Sequence, residues 1–269
     1  MNLSTHWKHE HGYVLPPYPL ASGRATISLE GYPAEDDEPM AATKFHGQQI
    51  VTLSYQLGAF FRLEDKVYVG TDSFIYYVEG DTSQCVAPDV YVVLGVDAIP
   101  ARRSFYTWEE GAVPTVAFEF LSESTGRVDR DDKVKLYLQE IGMEEYFIHQ
   151  PEAARPFECR GWRRTEAGKI IEIDPDERGW LKCETLNLWF FVEDQPDKVR
   201  LMRPAYPDGT PLPTYDELAQ ERDYFKEEAN AEAKARQEAE AKAQAAEARA
   251  AALEAELEKL RILLGQRAE

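Results

Sequence analysis

The stretch Thr115-Val-Ala-Phe-Glu-Phe-Leu121 holds the residue most in need of explanation. Strand alternation puts Val116, Phe118 and Phe120 on one face, and Ala117, Glu119 and Leu121 on the other. Both faces are mainly apolar, as in a sheet covered on both sides. Glu119 in such a strand costs several kcal/mol unless a cation, a metal or hydrogen-bond donors compensate it. A second carboxylate arrives through Pro88-Asp89, immediately before the apolar run Val90-Tyr-Val-Val-Leu94. Proline cannot donate to a strand ladder, so Asp89 is expected where a strand begins. A third group lies downstream, where Lys133 and Tyr137 share one helical face while Val134, Leu138 and Ile141 form the apolar stripe. Lys135 points elsewhere. Two carboxylates and a lysine suit metal-assisted phosphodiester hydrolysis: hard oxygens hold Mg²⁺ (or Mn²⁺), and a lysine positions water or neutralises phosphate charge. The same residues also allow a plain structural Glu–Lys pair.

These groups need a scaffold. Residues 44–62 carry apolar groups at helical spacing: Phe45, Ile50, Leu53, Leu57, Phe60 and Phe61. Strand-like runs follow at 66–69, 73–78, 89–94 and 115–121, then a helix over 131–141 and a strand at 145–149. Runs at 157–163, 169–173 and 187–192 read as peripheral strands. The expected fold class is α/β, a mixed sheet flanked by helices. Residues 1–40, with Pro16, Pro17, Pro19, Pro33 and Pro39, read as a loop-rich arm, and 41–203 as the folded domain. Residues 204–215 form a Pro-rich connector. From 216 to 269 Ala, Glu, Lys, Arg and Gln dominate. There, apolar or small residues alternate at spacings of four and three, ending in Leu253, Leu257, Leu260 and Leu264. Arg222, Glu232 and Arg236 interrupt the register. That pattern predicts a C-terminal coiled-coil helix that pairs as a homodimer, or a single charged helix.

Composition narrows the classes further. With 269 residues, 43% apolar and 12% aromatic, the chain can bury a core and is not a disordered polymer. A net charge of -19, from 30 Lys+Arg against 49 Asp+Glu, argues against a general grip on nucleic-acid backbone, though local basic grooves remain compatible with it. Cys85, Cys159 and Cys183 contain no Cys-x-x-Cys pair, which excludes a zinc ribbon or thioredoxin-like motif and fits reduced thiols. The start of the chain has no export signal and no run is long enough to span a bilayer, so a soluble, cytoplasmic protein is expected. His6, His9 and His11 have spacings a metal could use, yet solvated histidines are the commoner meaning. Ser122 and Ser124 lack a nucleophile elbow, and no phosphate-binding Gly-rich loop is present. Arg160, Arg163 and Arg164 around Trp162 make a small basic, aromatic patch that could touch a nucleic-acid strand.

Ala87-Pro-Asp89-Val, Glu119-Phe-Leu-Ser-Glu-Ser-Thr125, Asp129-x-x-x-Lys133-x-x-x-Tyr137, Gly142 and Glu145-Tyr-Phe occur in one order. Upstream come Glu38-Pro-Met40, His46, Gly70-Thr-Asp72 and Tyr76. Together they resemble the Uma-type restriction endonuclease family, a branch of the PD-(D/E)xK nuclease superfamily, over roughly residues 30 to 215. The resemblance implies a restriction-endonuclease-like fold, with a charged helical tail as a frequent appendage. It implies Asp89 and Glu119 as metal ligands, aided by the carbonyl of Phe120. The superfamily lysine normally lies two residues after the second acid, where this chain has Leu121. In this branch its role passes to the following helix, hence Lys133. His46 would line the site, or pack as an ordinary histidine.

The reading is therefore a metal-dependent endonuclease acting on DNA, with RNA as a further possible substrate. The competing reading is a non-catalytic binding or assembly module that keeps the fold, which the acidic charge favours.

Overall fold

The computed structural model describes residues 3–35, 43–122 and 126–265. Glu38-Pro-Met40 and the Glu123-Ser-Thr125 run lie outside the described residues, as do the side chains of 126–130. The chain forms two compact units, Met1–Tyr215 and Asp216–Glu269. The centre of the first is a six-stranded mixed sheet in the order β1-β4-β6-β7-β8-β9. These strands are β1 (Val67–Thr71), β4 (Val90–Leu94), β6 (Val116–Phe120), β7 (Glu145–His149), β8 (Cys159–Arg164) and β9 (Ile170–Glu172). β6 and β7 run parallel, and the other neighbours in this sheet pair antiparallel.

The crossover from β6 to β7 is α4 (Gly126–Lys135), which runs directly into a π-helical stretch, Leu136–Ile141. Its apolar stripe, Val134, Tyr137, Leu138 and Ile141, packs on Tyr91, Val93, Ala117, Leu121, Tyr146 and Ile148. A small sheet of β3 (Cys85–Val86), β2 (Ile75–Tyr76) and β5 (Phe105–Tyr106) adds Ile75 and Phe105 to this layer. The opposite face carries α2 (Lys44–Phe61) through Leu53, Leu57, Phe60 and Phe61. It also carries a three-stranded sheet of β10 (Leu181–Cys183), β11 (Leu188–Asp194) and β12 (Arg200–Ala205). Val116, Phe118 and Phe120 meet that layer. Every residue of β4, β6 and β7 is buried, the signature of strands covered on both faces.

Several elements differ from the sequence expectation. The N-terminal arm opens with α1 (Leu3–Glu10) instead of loop. Lys8 anchors it: its ammonium lies 4.4 Å from the Phe60 ring centroid and 2.9 Å from Glu64 Oε1. Burial lowers the Lys8 pKa, against the pull of Glu64. Lys8 thus serves as packing as well as charge. β8 is no peripheral strand but the fifth strand of the main sheet. β12 went unforeseen because Arg203 and Pro204 break the apolar pattern; an edge position tolerates the proline. The stretch read as a connector begins inside β12 and buries Leu212 at 2% exposure, so only its last residues lead towards α5 (Tyr215–Gly265). Among the described residues, no helix is long and apolar enough to cross a membrane.

His149 ties the layers together. Its Nδ1 lies 3.1 Å from the Glu158 carbonyl and its Nε2 3.0 Å from the Arg200 carbonyl. Only imidazolium could donate to both. Burial nevertheless dominates and pushes its pKa down to about 4 from 6.5. The unfolded chain therefore binds the extra proton first, and stability falls as pH drops from the ordinary histidine value through the depressed one. The full loss is about 3 kcal/mol, since one unit is worth about 1.4 kcal/mol. Urea midpoints at neutral and mildly acidic pH should differ less for His149→Gln than for wild type. Equal pH slopes would show that His149 is not the linked group.

Candidate active site

The register Val90↔Phe118 between antiparallel β4 and β6 decides the site. One step outward, the same pairing sets Asp89 beside Glu119. Both acids thus lie at one end of two strands buried along their whole length. Glu119 is 4% exposed and Asp89 8%.

Each acid has its own set of partners. Asp89 Oδ2 accepts from the Phe120 N–H at 2.6 Å, and Oδ1 lies 3.0 Å from His46 Nε2. Glu119 Oε1 accepts from Lys133 Nζ and from the Tyr137 hydroxyl, each at 2.7 Å. Charge-assisted bonds of this kind offset the burial of a carboxylate and fix its rotamer. Lys133 and Tyr137 are four residues apart, and α4 passes into its π-helical stretch between them. π-Helical turns often occur at functional sites because they re-aim side chains.

His46 stands in the first turn of α2, which Thr43 caps by accepting from the His46 N–H at 3.3 Å. Burial opposes its charge, but the bond to Asp89 and the fields of Asp89, Glu119 and Asp72 outweigh it, so its pKa is raised. Its Nδ1 is buried and has no hydrogen-bond partner among the described residues. Asp72 enters from the end of β1, where its N–H donates to the Pro88 carbonyl at 3.2 Å and its φ is 44°. The strand before it needs Gly70, because a Cβ there would lie 2.2 Å from the Tyr91 ring. The Gly70-Thr-Asp72 motif is thereby explained: close passage over Tyr91, then a turn towards the acids.

The structure thus brings together Asp89, Glu119, Phe120, Lys133 and His46. Tyr137 and Asp72 join them. Tyr137 had a visible signal, its place four residues after Lys133; Asp72 had one only through the Gly70-Thr-Asp72 motif. His6, His9 and His11 do not gather, since His6 bonds Glu10 at 2.9 Å and His11 bonds Asp208 at 2.7 Å. The basic patch is largely spent on acids: Arg160 on Glu172, Arg163 on Glu184 and Arg164 on Glu144. A cavity of about 800 Å³ lies at the opposite strand ends, lined by Thr115, Glu145 and Arg163 among others. Glu145 there accepts from Cys183 Sγ, the Glu184 and Thr185 N–H groups and the Thr185 hydroxyl, which makes it a strut for that turn.

Among the described residues no three His, Cys, Asp or Glu side chains are grouped to hold a metal. The pair Asp89 and Glu119 is a donor set of the kind Mg²⁺ takes, one or two carboxylates with water and phosphate completing the shell.

Fold and site together define a mixed α/β protein with two acids and a lysine at one end of its central strands. A sequence-family model, Uma2, described as "Putative restriction endonuclease", matches residues 35–192. That is more than half of the chain, which belongs to this family. A "putative nuclease belonging to DUF820" from Anabaena variabilis is similar at 14% identity and TM-score 0.40, over 55% of this chain and 76% of that chain. Comparison with curated proteins gives no match.

Tyr137→Phe isolates one hydroxyl while keeping the ring packed on Tyr146 at 5.0 Å. Removing an outer partner of a ligating carboxylate weakens metal binding about 10- to 100-fold. If Glu119 is a metal ligand, Mn²⁺ titration by calorimetry should show such a drop; an unchanged affinity would reduce Tyr137 to a packing role.

Proposed function

We propose that this protein is a divalent-metal-dependent endonuclease that hydrolyses DNA phosphodiester bonds. The observation that carries the reading is the strand register that sets Asp89 beside Glu119 while Lys133 and Tyr137 converge on one oxygen of Glu119. Family membership supports it independently.

Asp89, Glu119 and the Phe120 carbonyl would hold Mg²⁺ or Mn²⁺. A bound divalent ion supplies charge neutralisation at the phosphate and acidifies water. The chain's own residues do the rest. The Phe120 N–H and His46 hold Asp89 in one orientation, and Tyr137 does the same for Glu119. Lys133 keeps its side chain 22% exposed, so its ammonium can turn to an attacking water or a non-bridging phosphate oxygen.

A second reading rests on the net charge of -19, which works against phosphate approach: a binding or assembly module that retains the fold. Incubating full-length protein with plasmid, single-stranded DNA and RNA in Mg²⁺ or Mn²⁺, beside calorimetric Mn²⁺ titration, separates the two. Cleavage of duplex DNA with saturable metal binding supports the nuclease. Cleavage of RNA alone changes the substrate class. Neither cleavage nor binding overturns the enzyme.

A further inference from the structure

α5 is a single helix of 51 residues. Leu253, Leu257 and Leu260 lie along it at 61%, 57% and 52% exposure. They continue a seam of Ala239, Ala243, Ala246 and Ala250 at alternating spacings of four and three. An apolar seam of this kind does not by itself choose a direction. The charges beside it do.

We propose that α5 pairs with a second copy of this chain, parallel and in register, from Ala239 onward, and that the two helices separate at Arg236. In a parallel pair, each residue before a core a position faces the residue five further along the other helix. That places Lys242 against Glu247 of the partner subunit and Arg249 against Glu254 of the partner subunit. Two-fold symmetry repeats both attractive pairs. An antiparallel pair over the full helix instead sets Lys242 and Glu240 each against its own copy, and Glu228 against Glu256 of the partner subunit. Only Lys226 with Glu254 of the partner subunit is favourable there.

Upstream, the parallel register fails for a stated reason. Arg222, Glu232 and Arg236 occupy seam positions, where each would meet its own copy, like charge on like. Arg236 turns aside to Glu240 of its own helix at 2.9 Å. The closed coil then spans about 40 Å at the helical rise of 1.5 Å per residue. Parallel pairing also brings both Tyr215 ends, and the chains leading into them, to the same end of the coil. This inference is independent of the nuclease reading.

Sedimentation of the full-length protein at tens of micromolar should give a dimer, and oxidised Ala250→Cys protein should yield a 250-to-250 disulfide by peptide mapping. Lys242→Glu with Arg249→Glu turns the four attractive pairs repulsive and should weaken the dimer about tenfold or more. Adding Glu247→Lys and Glu254→Arg should restore it, which a general loss of helix would not allow. A monomer, or indifference to charge reversal, overturns the pairing. A disulfide joining Ala229→Cys to Leu253→Cys with none at 250 overturns the direction.

Discussion

Glu119→Gln is expected to lower phosphodiester cleavage by about 10³-fold or more and to remove measurable Mn²⁺ binding, because on the proposed function it deletes a charged ligand with almost no change in volume. The amide keeps the side chain's shape between Ala117 and Leu121 but cannot supply the anionic oxygen that Lys133 and Tyr137 now hold. Lys133 can rehydrate, since it already reaches solvent. The fold should therefore survive, and circular dichroism beside the calorimetry checks that it does. Asp89→Asn should follow the same pattern while retaining contacts to His46 and the Phe120 N–H. If either variant cleaves at the wild-type rate, the acids are structural and the site lies elsewhere.

The second large effect concerns Lys133. Lys133→Met should reduce kcat about 10²-fold or more while leaving Mn²⁺ affinity equal or tighter, since on the proposed function it removes a cation that shares Glu119 with the metal. It should also lower Tm in chelator, because a carboxylate at 4% exposure loses its counter-charge. Breaking such a buried pair costs about 3–5 kcal/mol. Added Mn²⁺ should recover much of that loss, a response a purely structural ion pair would not give. Lys135→Met supplies the control: it lies two positions away on the helix and should change neither rate nor metal affinity. An effect at Lys135 equal to that at Lys133 would mean that general charge, not the Glu119 contact, matters.

Much of the architecture was legible because its signals are local. The covered strands β4, β6 and β7 are continuous apolar runs, and α2 shows a helical stripe from Leu53 to Phe61. The alternation in β6 separated the two layers correctly, with Phe118 and Phe120 facing α2 and Leu121 facing the crossover helix. Elements that escaped notice lack such patterns. α1 is held by a buried lysine, β12 contains Arg203 and Pro204, and β3 and β5 are two residues each. Their order comes from partners far along the chain, which no window of neighbouring residues contains.

The site divides along the same line. Local pattern was enough to place Glu119 in a strand covered on both faces, Asp89 ahead of another strand, and Lys133 and Tyr137 on one helical face. Each of these is a property of periodicity. That Asp89 stands beside Glu119, that Lys133 and Tyr137 meet on the same oxygen, and that His46 bonds Asp89 emerge from the folded chain alone. Those facts depend on strand register and on the path of the crossover, and a slip of one residue in pairing would turn Asp89 to the other face of the sheet. Register is set by burial across the whole sheet, and so it is absent from any single segment.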